Sequence, residues 1–186
     1  SEMCIRDRME NDILKVIVSA KEIDAICERL GKEITKDYDG KYPIVIGLLK
    51  GCQPFMSDLI KHINTYMSID YMSVSSYDGM SSTGSITIKK DIETDVRGRD
   101  VIVVDDIIDT GVTLLNIINL FKEKKVRSIK TVCLLDKPEG RKVDLNADYV
   151  GMIVPKEFVV GYGLDYNGLY RNLPYVGVLK REVYEK

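Results

Sequence analysis

Asp105, Asp106 and Asp109 stand close together in the chain, and Thr110, Gly111 and Thr113 follow at once. A turn that carries Gly and hydroxyls and opens a helix is an anion site, because unpaired backbone N–H groups and the helix dipole point at one spot. Phosphate is the usual occupant. Two carboxylates beside such a site repel an anion unless they bind a cation or accept hydrogen bonds from ligand hydroxyls. A sugar phosphate with a divalent metal meets both conditions. The stretch is neither a Walker loop, which needs a Gly-Lys-Ser/Thr ending, nor a GxGxxG dinucleotide turn. The competing reading makes the three Asp solvated turn residues and a helix cap. Their joint occurrence with Thr-Gly-x-Thr weighs against it.

Strands and helices must hold these residues. Val101, Ile102, Val103 and Val104 read as a buried strand that ends at the acidic pair, and a helical pattern runs from about Thr113 to Lys124. Ile44 to Leu49 is a continuous apolar run of the kind parallel sheets bury on both faces, followed by Lys50-Gly51-Cys52 and a helix from near Pro54. Ligands of open α/β sheets collect beyond the carboxyl ends of the strands, so Lys50 and Gly51 are expected to share a crevice with Asp105 to Thr113. The alternative for Lys50 is an exposed turn lysine. Earlier in the chain, Ile13 to Val18 reads as a short strand, and Ser19 as the cap of a helix that ends at Gly31. His62 reads as a surface or packing residue. Ser68 to Val74 and Ser85 to Lys89 read as paired strands, with Ser75 to Gly84 a mobile loop that is either a hairpin tip or a lid. Thr131 to Leu135, Tyr149 to Val154 and Phe158 to Val160 read as extended pieces, with a turn at Lys137-Pro138-Glu139-Gly140. Tyr162, Tyr166, Tyr170 and Tyr175, set among glycines, read mostly as core or subunit contact.

The whole chain bounds these readings. Its 186 residues suit one domain, taken as 9–186, with residues 1–8 a leader ahead of Met9. Lys and Arg number 27 against 29 Asp and Glu, so bulk charge favours neither nucleic acid nor a membrane surface. Cys4, Cys27, Cys52 and Cys133 form no CxxC, which argues against zinc and fits reduced thiols in a cytosol. No apolar run approaches the roughly 18 residues of a membrane helix. A cytoplasmic protein is expected.

The segment Asp-Ile-Ile-Asp-Thr-Gly-x-Thr-Leu resembles the phosphoribosyl pyrophosphate (PRPP) signature of the type I phosphoribosyltransferases, in particular their hypoxanthine-guanine branch. The resemblance runs from about Val16 to Leu179 and takes in, in order, Leu-Lys-Gly, a Ser-Tyr loop, the Asp-rich signature, Leu-Leu-Asp-Lys-Pro and Glu-Phe-Val-Val-Gly-Tyr-Gly-Leu-Asp-Tyr. It implies an α/β fold: a mostly parallel sheet flanked by helices, with a small C-terminal hood that completes a purine pocket. It implies that Asp109, Thr110, Gly111, Val112 and Thr113 bind the 5′-phosphate, and that Asp105 and Asp106 hold the ribose hydroxyls and the Mg2+ they chelate. Lys50, Gly51 and Arg171 would serve the pyrophosphate, and Asp109 the proton of the incoming purine as general base. Lys137 would meet the exocyclic oxygen of a 6-oxopurine, Phe158 would stack on the ring and the Val159 backbone would read its edge. Asp165 would serve a second magnesium, and Ser76 and Tyr77 would close over the reaction.

The activity so implied is purine salvage: PRPP and hypoxanthine or guanine give IMP or GMP and pyrophosphate, in a homodimer or homotetramer. The alternatives are a xanthine-preferring enzyme and a non-catalytic PRPP- or nucleotide-sensing regulator. A receiver-like phosphoacceptor is disfavoured, since Thr-Gly-x-Thr after the acids makes a cradle for phosphate. Two departures stand out. Many relatives carry Glu-Asp in place of Asp105-Asp106, and in some the base-contacting lysine sits where this chain has Asn146.

Overall fold

The computed structural model describes residues 9–76 and 86–185. Its centre is a six-stranded sheet made of β2 (Ile44–Leu49), β3 (Ser68–Ser76), β4 (Ile86–Lys90), β5 (Asp100–Ile108), β6 (Ser128–Asp136) and β7 (Tyr149–Ile153). The order is β4-β3-β2-β5-β6-β7. All neighbours are parallel except the edge strand β4, which runs antiparallel to β3. Helix α1 (Ala20–Tyr38) leads into β2, and helices α2 (Gln53–Ile60) and α3 (Val112–Glu123) supply the crossovers from β2 to β3 and from β5 to β6.

Apolar runs become central strands here because both faces are covered. Val45, Ile102 and Val104 pack with Cys27, Leu30, Phe55 and Leu59 of α1 and α2. The alternate residues Ile44, Ile46, Val101 and Val103 pack with Leu114, Ile117 and Phe121 of α3. This is the period of two in which successive side chains leave a strand on opposite faces.

Three expectations change at this level. Helix α1 starts at Ser19 as anticipated: the Glu22 N–H donates to Ser19 Oγ at 3.1 Å and the Ser19 N–H to Glu22 Oε2 at 2.9 Å. It does not end at Gly31, however, but runs to Tyr38. Gly31 lies buried inside the helix because the segment after α2 crosses it, so that a Cβ there would sit 2.7 Å from the His62 carbonyl oxygen. Strand β5 continues through Asp105 and Asp106 to Ile108, paired with β6 in the register Asp105↔Cys133, Ile107↔Leu135 and Ile108↔Asp136. Strand β3 likewise takes in Ser75 and Ser76, which pair with Thr87 and Ile86. The rest of the Ser75 to Gly84 segment, Tyr77 included, lies outside the described residues.

The hood is a second sheet, of β1 (Ile13–Val18), β8 (Val159–Val160) and β9 (Val176–Leu179), in the order β1-β9-β8 and antiparallel throughout. It is therefore not only C-terminal. The apolar run Ile13 to Val18 marks β1 as a strand, but Leu14 and Val16 are exposed in it and its partner is distant in the sequence. A short helix, α4 (Arg181–Tyr184), follows β9.

Cys27, Cys52 and Cys133 are free and buried. Burial pushes the Cys27 and Cys52 thiols up to about 12, which keeps them protonated and unreactive. Among the described residues no helix is long and apolar enough to cross a membrane.

Gly31→Ala tests the α1 crossing. Helix propensity alone would stabilise this variant by about 1 kcal/mol. The unyielding His62 backbone makes overpacking the larger effect, at about 1–3 kcal/mol. A net loss of stability is expected in urea unfolding, and a gain would show that the crossing is looser than described.

Candidate active site

The carboxyl ends of β2, β5 and β6 bring three loops to one edge of the sheet, and a hood loop joins them. At the centre, β5 ends in Ile108 and the chain turns through Asp109 and Thr110 to Gly111, whose φ of +78° is the left-handed conformation that glycine adopts without a Cβ clash. The Val112 N–H donates to Thr110 Oγ1 at 3.3 Å, and α3 then begins with no acidic residue in its first turn. Asp105, Ile107, Asp109, Thr110, Gly111 and Thr113 line a cavity of about 180 Å³ there. Its chemistry is that of an anion cradle, with the positive end of α3 facing it. A larger cavity, about 690 Å³, lies at the opposite edge of the sheet. Its charges already match one another, in Arg127 with Asp100 and Lys130 with Asp37.

Asp105 and Asp106 are half-buried side by side, with the Asp106 N–H donating to Asp105 Oδ1 at 3.0 Å and the Ile107 N–H to Asp106 Oδ1 at 2.7 Å. Neither carboxylate has an ion-pair partner among the described residues. Burial pushes both carboxyl groups up, and repulsion from Asp106 pushes Asp105 further. A pair of adjacent oxygen donors with uncompensated charge fits a hard divalent cation such as Mg2+.

Gly51 is pressed against this pair, since a Cβ there would collide with the Asp106 carboxylate. The preceding Leu49–Lys50 peptide is cis and Lys50 is exposed. From the hood, Gly163 (φ +99°) sits on the Gly51 carbonyl with no room for a Cβ. Its own carbonyl accepts from the Arg171 guanidinium. Arg171 also pairs with Asp165 at 3.1 Å, and its charge acts on Asp106. Asp165 accepts the Gly168 N–H at 2.7 Å as well. Asp165 is thus held by Arg171 and Gly168, and no group of three metal-binding side chains occurs among the described residues.

On the other side, Lys137 Nζ lies 3.1 Å from Asp109 Oδ2 and 3.4 Å from the Glu157 carbonyl oxygen. Gly140 makes room for the same Asp109 carboxylate, which a Cβ would strike. Asn146 is exposed, so in this chain Lys137 is the lysine at Asp109. Phe158 is 38% exposed, stacked on Tyr184 at 4.7 Å between centroids and edge-on to Tyr166 at 5.7 Å. Val159 is buried in β8, opposite Val178. Ser76 is the last residue of β3. Of the residues singled out in the sequence, the structure brings Gly51 against Asp106, Lys137 to Asp109 and Arg171 to Asp165, while Tyr77 lies outside the described residues.

At the level of sequence Arg141 is left out, and Asp136, Gly140 and Gly163, which lie within the turn and motifs named above, have no role of their own. Gly-Arg-Lys after a Pro reads as an exposed turn, and only the pairing of β5 with β6 shows what it packs against.

The acidic pair sets up a trade of stability against charge. A carboxyl whose folded pKa is raised favours the folded state below that pKa and weakens it above. Asp105→Asn removes the repulsion, so the metal-free variant is expected to melt higher than the parent at pH 8. The gain is roughly 2–4 °C for each ~1 kcal/mol relieved. It should shrink as the pH falls through the raised pKa. A melting temperature that drops equally at pH 8 and at a pH below the raised pKa would refute the repulsion.

A phosphoribosyl transferase domain model matches residues 16–167. The chain is 56% identical over 177 residues to the hypoxanthine-guanine phosphoribosyltransferase of Streptococcus pneumoniae strain R6, covering 95% of this chain and 98% of that one. The crystal structure of a hypoxanthine phosphoribosyltransferase from Staphylococcus aureus superposes with a TM-score of 0.95 at 50% identity, over 98% of this chain and 100% of that one. A hypoxanthine-guanine phosphoribosyltransferase from Bacillus anthracis gives a TM-score of 0.87 at 42% identity, over 90% and 99%. With sequence, domain model and fold in agreement, the chain belongs to the phosphoribosyltransferase family, among its hypoxanthine-guanine members.

Proposed function

We propose that this protein is a cytoplasmic purine-salvage enzyme that transfers the 5-phosphoribosyl group of PRPP to hypoxanthine or guanine, releasing pyrophosphate. The observation that carries this reading is the position of Asp109. Its backbone opens the anion cradle, and its carboxylate lies 3.1 Å from Lys137. It stands at the seam between a phosphate subsite and a base subsite, where a bond from ribose to purine would form.

The 5′-phosphate sits at the start of α3, on the backbone of Asp109 to Thr113. Lys137 spends one contact on Asp109 and a weak one on the Glu157 carbonyl, which leaves its ammonium a proton for an exocyclic oxygen. A 6-oxo group accepts that proton, whereas the amino group of adenine offers no acceptor and leaves the lysine unsatisfied. Phe158, covered on one side by Tyr184, presents its exposed surface to the purine ring.

Departure of pyrophosphate from C1 puts negative charge on the leaving group and positive charge on the ribose. Lys50 and Arg171 offset the first; the guanidinium has donors left beyond those used on Asp165 and Gly163. Mg2+ held at Asp105 and Asp106 would add cationic charge beside the leaving group. As the ring nitrogen attacks, its proton passes to the Asp109 carboxylate.

Release of pyrophosphate from PRPP and Mg2+ is the test, with hypoxanthine, guanine, xanthine, adenine and uracil offered singly. Release with hypoxanthine and guanine but not adenine or uracil is expected. Faster release with xanthine would replace the proposed bases, and Mg2+-dependent PRPP binding with no release would favour a nucleotide-sensing role.

Two variants reach Asp109 by different routes. Asp109→Asn removes the base, which is typically worth about 10²- to 10⁴-fold, and should lower kcat far more than it raises KM. Gly140→Ala displaces only the mobile end of the same side chain, so kcat should fall with the melting temperature nearly unchanged. Parental kcat in both variants would remove Asp109 from this role.

A further inference from the structure

Arg141 is a largely covered cation that the chemistry above does not use, with 13% of its side chain exposed. Its Nε donates to the Leu145 carbonyl at 2.8 Å, and Nη1 donates to the carbonyls of Ile108 at 3.2 Å and Asp109 at 2.7 Å. Nη2 pairs with the carboxylate of Asp136, which is itself only 11% exposed. The guanidinium therefore ties the end of β6 to the end of β5 and to the backbone of Asp109 itself.

The main chain runs alongside. The Lys137 N–H donates to the Ile108 carbonyl and the Lys142 N–H to the Thr110 carbonyl, each at 2.9 Å. Gly111 passes under the Arg141 stem, where a Cβ would come within 3.0 Å of Cδ. The ion pair of Asp136 with Arg141 also closes the turn that contains Lys137 and Gly140, the two residues that meet the Asp109 carboxylate.

A buried ion pair is weak evidence for stability, because desolvation offsets its attraction and an apolar replacement is often neutral or better. What the pair supplies here is geometry. We propose that Asp136 and Arg141 form a latch that positions the Asp109 backbone, Lys137 and the mouth of the phosphate loop relative to one another. Both are positioning residues, since neither reaches the crevice. Their effect on turnover rests on the function proposed above, but their effect on the loop does not.

The experiment compares Arg141→Met, Arg141→Lys and the double variant Arg141→Met/Asp136→Leu with the parent. Removing Arg141 alone strands a buried carboxylate and should lower the melting temperature. The double variant removes that stranded charge and should recover most of the melting temperature. It should not recover kcat, which is expected to stay about 10- to 100-fold down, because misplacement by about 1 Å can cost as much as 10²-fold. Arg141→Lys keeps the charge but not the fork that serves several acceptors, and should show a similar loss of kcat.

Ribose 5-phosphate binding by calorimetry needs the loop and no turnover, and should weaken in all three variants. It keeps the two readings apart: an inactive parent refutes the proposed reaction, while weaker binding in the variants still supports the latch. Recovery of parental kcat together with stability in the double variant would reduce the pair to a structural role and overturn the proposal. If the double variant does not fold, Arg141→Lys decides, and parental kcat per folded molecule with parental ribose 5-phosphate affinity would overturn it equally.

Discussion

Strand β5 stays paired with β6 through Asp105, Ile107 and Ile108, beyond the apolar residues that earn its place in the core. Everything at the site hangs on that extension. It makes Asp105 and Asp106 strand residues, and it sets where the chain leaves the sheet to form the turn of Asp109 to Thr113. Because β2 is parallel to β5 on the other side, the loop after β2 arrives at the same edge. A loose end at Val104 would leave the acids as solvated turn residues.

Backbone packed on carboxylates does the rest of the positioning. Gly51 lies against Asp106, Gly140 against Asp109, and Gly163 against the Gly51 carbonyl. Each of these approaches is too close for a Cβ, so three loops from distant parts of the chain are brought into register by what they lack. The same closeness concentrates charge. Asp109 and Asp165 have cationic partners in Lys137 and Arg171, whereas Asp105 and Asp106 have none among the described residues. A fold selected only for stability would not keep such a pair, and its retention is what an active site costs.

Much of this was legible in the sequence because it is local. Unbroken apolar runs mark strands covered on both faces, and Thr-Gly-x-Thr after a strand marks a cradle whatever surrounds it. Legibility fails where a distant segment decides. Gly31 looks like a helix stop until the His62 backbone is laid across it. Arg141 looks like a solvated turn residue until β6 is placed beside β5 and three carbonyls and a carboxylate close around its guanidinium. Strand β1, with Leu14 and Val16 exposed, gives no hint that its partner is β9. Phe158 is singled out only through family resemblance, and the ring of Tyr184 stacked on it is not read at all.

The pairing of Ile13 with Leu179 has a bearing on how the molecule is made. Nearly the whole chain separates these residues, so their meeting carries one of the largest loop-closure entropies the chain can offer. The strands of the large sheet all lie at or before Ile153, but β1 has no strand partner until β9 has left the ribosome. During synthesis the strands of the large sheet and the turn of Asp109 to Thr113 are therefore complete first, while the partner of β1 is still to come. The small sheet of β1, β9 and β8 is among the last parts of the molecule to assemble.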